Sequence, residues 1–138
     1  MKKMIVAAAA LVAGMLVGIG TASAHHSFAA EFDRQKPITL KGVVTKVEWT
    51  NPHVWIYLNV KDESGSVTNW GAELGPPHGL QGRGWRRDTL TVGTQITVEG
   101  SMSKNGSPRV NAGTITVDAT GGRPGQTLDA VSSSKDGK

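Results

Sequence analysis

The chain has 138 residues, 15 Lys and Arg against 11 Asp and Glu, and no cysteine. That length is enough for one small domain, and the missing cysteines exclude disulfide staples, thiolate zinc sites and cysteine nucleophiles. Two of the four net positive charges belong to Lys2 and Lys3 of a leader, so charge gives no argument for a nucleic-acid partner and none is expected.

Residues 1–24, MKKMIVAAAALVAGMLVGIGTASA, carry a basic start, an uncharged stretch from Ile5 to Gly20, and Ala22-Ser23-Ala24 before the cut. This is the three-part pattern of a secretory signal peptide. Its apolar run falls short of the ~20 residues that a spanning helix needs. The expected location is the periplasm, with no membrane anchor after cleavage and His25 as first residue.

Residues 25–37, HHSFAAEFDRQKP, form an N-terminal extension. Phe28 and Phe32 are four apart, the spacing of neighbours on one helical face, and Pro37 is expected to end such a turn. The alternative is an extended segment lying against the domain.

Residues 38–118 read as strands. Ile38 and Leu40 share one face, and a shift of the apolar set after Gly42 to Val43, Val47 and Trp49 predicts a bulge or bend there. HVWIYLNV alternates, with Val54, Ile56, Leu58 and Val60 inward and Trp55, Tyr57 and Asn59 outward. Ser64-Gly65 and Asn105-Gly106 mark hairpin tips. Trp70, Ala72 and Leu74 share a face of the third strand. Residues 75–93 form an irregular excursion with at most one helical turn around Leu80. Two more strands follow, the last with a phase shift at Gly113. Strand, strand, strand, excursion, strand, strand is the layout of an OB-type fold. The expected class is therefore all-β, a small five- to six-stranded OB-like barrel, with an open sandwich as the alternative. Residues 119–138 are poor in large apolar side chains and are expected to be a disordered tail.

The segments HHSFAAEFD, KPITLKGVVTKVEWTNPHVWIYLNVKD, NWGAEL and GWRRDTL with ITVEG resemble a family of small exported bacterial proteins known only as a domain of unknown function. The resemblance runs from His25 to about Val117. It implies a periplasmic OB-like β domain and carries no activity. His78 departs from the family pattern, in which Asn is the more usual residue there.

Three constellations carry chemistry. Cleavage before His25 would give it a free amine, which with its imidazole chelates a metal ion. His26 offers a second mode through the amine and the intervening amide. A third nitrogen from His53, or from His78, would complete a planar array suited to Cu(II). The other reading of His25 and His26 is an unliganded chain start. The second constellation is VEWTNPHVWIY. Trp49, Asn51, His53, Trp55 and Tyr57, with Trp85 from the excursion, are candidate ligand-binding residues, because flat aromatic faces stack on planar or sugar ligands. The competing reading places the tryptophans in the core and Asn51-Pro52 in a structural turn. The third is Arg83, Arg86 and Arg87 beside Trp85, an anion site or a solvated basic loop.

No catalytic spacing is present, so the chain is expected not to be an enzyme. The expected function is a periplasmic module binding a small ligand or a metal ion, with Cu(II) as the candidate cofactor. The alternative is an interaction protein that docks on an envelope partner through its aromatic face. A copper-dependent redox enzyme ranks last.

Overall fold

Strand β1 (Phe32–Glu48) is 17 residues long and serves two neighbours. Its first part pairs antiparallel with β4 (Gln95–Ser103), and its last part pairs antiparallel with β2 (Trp55–Lys61). The change of partner overlaps at Gly42 and Val43, which pair on both sides. A Cβ at Gly42 would lie 2.3 Å from the Asn59 carbonyl oxygen, so glycine is what lets the two backbones approach there. The computed structural model describes residues 28–120, 122 and 124–131. The leader and the pair His25–His26 lie outside them.

Among the described residues the remaining elements are β3 (Val67–Glu73), β5 (Arg109–Val117), β6 (Gln126–Asp129) and two short helices, α1 (Phe28–Glu31) and α2 (Pro77–Gln81). The strands form one six-stranded sheet in the order β3-β2-β1-β4-β5-β6. An additional parallel pairing joins Gly71, Ala72 and Glu73 of β3 to Arg109, Val110 and Asn111 of β5. The expected all-β OB-like barrel is corrected by this arrangement. The fold is a strand-rich six-stranded sheet with some helix, and its outermost strand comes from the segment expected to be disordered.

That tail is drawn in by backbone bonds and two small contacts. β6 pairs with β5, Leu128 opposite Ile115, and Leu128 and Ala130 are buried. The Ala130 amide donates to Gly113, the Gly75 amide donates to the Ala130 carbonyl, and Trp85 Nε1 donates to the Asp129 carbonyl at 2.8 Å. Few large apolar residues are needed when the strand adds to an existing edge, whose unpaired groups it satisfies.

The alternation read for β2 holds. Val54, Ile56 and Leu58 are fully buried, while Trp55 and Tyr57 stand on the outer face. Val54, Ile56 and Leu58 join Leu74, Leu80, Ile96, Val98, Val110 and Ile115 in the core. Full burial of such side chains stabilises by about 1.5–3 kcal/mol each. The turn around Leu80 is helix α2. Gly113 is the extra residue of a bulge, since Glu99 and Gly100 face Thr114 and Ala112. In β1 the irregularity lies between Val44 and Lys46, not at Gly42. Leu40 and Val44 keep one phase, and Val43 faces solvent. Near the start, the Phe28 and Phe32 rings stack at 5.8 Å. The helical turn ends at Glu31, and Pro37 sits inside β1, at a second register shift.

Candidate functional site on the outer face of the sheet

Pairing across the sheet lines up outward side chains in rows. One row runs Glu48, Trp55, Glu73, Asn111, and the next runs Lys46, Tyr57, Gly71, Arg109. Trp55 and Tyr57 are therefore neighbours on β2, with ring centroids 6.3 Å apart and 22° between planes. Both rings lie against Gly71 on β3 at ordinary contact distance. A Cβ there would lie 3.4 Å from Trp55 Cζ3 and 3.5 Å from Tyr57 Cε1.

Cations hold the rings in place. The Arg109 guanidinium lies 4.8 Å from the Trp55 ring centroid, and Lys46 Nζ lies 5.5 Å from that of Tyr57. Such contacts are attractions between a cation and the negative face of an aromatic ring. Each cation also has a carboxylate. Arg109 Nη2 is 3.9 Å from Glu31 Oε2, and Lys46 Nζ donates to Glu48 Oε1. Glu48 in turn accepts from the Tyr57 hydroxyl at 3.3 Å. The hydrogen bond from Lys46 keeps the Glu48 carboxyl below its ordinary range. Burial, then the charge of Glu48, pushes the Tyr57 phenol up. Beside the rings, Asn69 Nδ2 donates to Asn59 Oδ1 and to Thr45 Oγ1. Trp55, Tyr57, Asn69, Gly71, Pro108 and Arg109 enclose a shallow groove of ≈ 300 Å³.

Next to this face His53 Nδ1 donates to Glu73 Oε1 at 2.8 Å. Glu73 is buried, and loss of water raises its pKa first of all. The nearby Glu31 also raises it, while His53 and Arg109 act the other way. The bond fixes the imidazole and leaves Nε2 on the other side of the ring.

The six residues read from sequence as a ligand site do not gather. Trp55 and Tyr57 do, with His53 at their border. Trp85 is a core residue, 2% exposed, and its indole N–H is bonded to β6. Trp49 packs half-buried against the core. Asn51 and Pro52 are exposed in the connection between β1 and β2, joined by a cis peptide bond. Among the described residues no group of three His, Cys, Asp or Glu side chains is placed to hold a metal ion. His78 lies exposed on α2, and His53 is engaged with Glu73. The metal-binding expectation for His25, His26, His53 and His78 rests on the first two, which lie outside the described residues. Arg109, Lys46, Glu48 and Asn69 were not singled out by sequence. Period-two alternation reveals outward positions on each strand, but no local signal shows that β5 joins β3.

Arg83 reaches the Val131 carbonyl at 2.9 Å, while Arg86 and Arg87 are exposed beside an open depression of ≈ 530 Å³ near Trp85. Among the described residues no helix is long and apolar enough to cross a membrane.

A strand-rich module with a half-buried aromatic pair on one outer sheet face is thus what the geometry defines. The chain belongs to a family of unknown function, DUF6152, whose model matches residues 13–112. The matched span includes all of β1 to β4, Arg109 and the two aromatic residues. No curated protein and no solved structure shows significant similarity to the chain.

Proposed function

We propose that the chain is an exported, non-catalytic binding module that takes a small ligand on the Trp55–Tyr57 face. The observation that carries this reading is the pair of aromatic rings kept on the solvent side, next to a groove and braced by Arg109 and Lys46. Trp85 in the same chain goes into the core, whereas Trp55 and Tyr57 stay on the outer face. Export rests on the three-part leader of residues 1–24. A protein partner on the same face is the second reading. Val43 and Val67, both exposed, lie on that outer face as well.

A thermal-shift screen of protein beginning at His25 tests the reading, with sugars, aromatic carboxylates, nucleotides and Cu(II) as separate probes. The expected outcome is a rise in unfolding midpoint with one of the organic classes that Trp55→Ala abolishes. Stabilisation that survives Trp55→Ala places the ligand elsewhere and contradicts the reading. A shift by Cu(II) alone, lost when one residue is added ahead of His25, also contradicts it.

A further inference from the structure

Resting on the binding face just described, we infer that its ligand is a neutral glycan chain lying across Trp55 and Tyr57. The first ground is charge. Every charged group at the rim has an opposite partner: Arg109 with Glu31, and Lys46 with Glu48. A net anion would meet the carboxylates of Glu31 and Glu48, and a net cation would meet Arg109 and Lys46. Juxtaposed like charges are how a surface rejects wrong partners. A neutral ligand avoids both penalties.

The second ground is hydrogen-bonding character. The two ion pairs and the linked amides of Asn69 and Asn59 put donors and acceptors side by side. A hydroxyl group both donates and accepts, so a polyhydroxylated ring can use such a mixed rim. A flat aromatic ligand would cover the same rings but bring no hydroxyl groups to replace the water it displaces from that rim.

The third ground is shape. The groove holds ≈ 300 Å³ and is lined by the two rings with Asn69, Gly71, Pro108 and Arg109. This is the small end of ligand pockets. It suits one unit of a chain that continues in both directions, with the neighbouring rings of Trp55 and Tyr57 as part of its wall. Sugar C–H groups meet the ring surface that lines the groove, while the hydroxyl edges reach Arg109 and Asn69.

Native gels cast with soluble polysaccharides test this. The probes are dextran, a β-glucan and xylan as neutral chains, and alginate and heparin as acidic ones. The protein begins at His25. Retardation by a neutral chain is expected, with affinity about tenfold or more weaker in Trp55→Ala and reduced in Tyr57→Ala. Near-UV circular dichroism shows that each variant is folded, and Arg86→Ala serves as a variant away from the face, expected to bind as wild type. Retardation by acidic chains only overturns the inference, as does neutral binding unchanged in Trp55→Ala. If no neutral chain binds but a noncarbohydrate probe stabilises the protein through Trp55, the glycan assignment falls and the binding face stands. If nothing binds through Trp55, both fall.

Discussion

Glu73 is the residue whose environment departs furthest from water while it keeps an ionisable group. It is 7% exposed, opposite Trp55 on the outer face, and bonded to His53. Burial raises its pKa above the ordinary glutamate value of 4.5. The raised value belongs to the folded state, so above about 4.5 the fold holds more protons than the unfolded chain. Glu73 then contributes stability that is fully present below the ordinary value and is lost as pH rises through the raised one. Glu73→Gln removes that dependence. In thermal unfolding between pH 4 and 8, wild type should gain on Glu73→Gln as the pH falls. A wild-type advantage that shrinks on acidification contradicts the assignment of burial as the main cause. None of this was visible in the sequence. NWGAEL shows an outward glutamate at the end of a strand, and only the meeting of β2, β3 and β5 buries it.

At the scale of elements, β6 decides how the excursion of residues 75–93 is held. Trp85 and Arg83 from the excursion bond to the Asp129 and Val131 carbonyls, and the Gly75 amide to Ala130. Leu128 fixes the strand from the other side by burial against β5. Leu128→Ala should cost about 2–4 kcal/mol in chemical denaturation, as cavity-forming changes of this kind do. It should also raise Trp85 fluorescence quenching by acrylamide. A variant within about 0.5 kcal/mol of wild type, the range of ordinary surface changes, would mean that β6 does not secure the excursion. Composition misled here because it counts apolar side chains and not the hydrogen bonds of an edge. The central strands were more legible, since Val54, Ile56 and Leu58 alternate without interruption. Bulges were half legible. Gly113 marks one, whereas in β1 the shift falls at Thr45 and Gly42 marks the close approach to β2.

For the whole molecule, the same six-stranded sheet supplies two faces with different tasks. The inner face packs the core, and the outer face displays Trp55 and Tyr57 between paired charges. Half of the proposed site was legible in HVWIYLNV, because alternation alone sends Trp55 and Tyr57 outward. Arg109 was not, because it is 54 residues from Trp55 in the chain and arrives through the parallel pairing of β3 and β5. The four tryptophans make the central claim directly measurable, since each gives its own indole N–H resonance. On titration with soluble neutral oligosaccharides, the Trp55 signal should move in proportion to binding, while that of Trp85, buried and bonded to Asp129, stays in place. A Trp55 signal that does not move while the oligosaccharide binds would contradict the account.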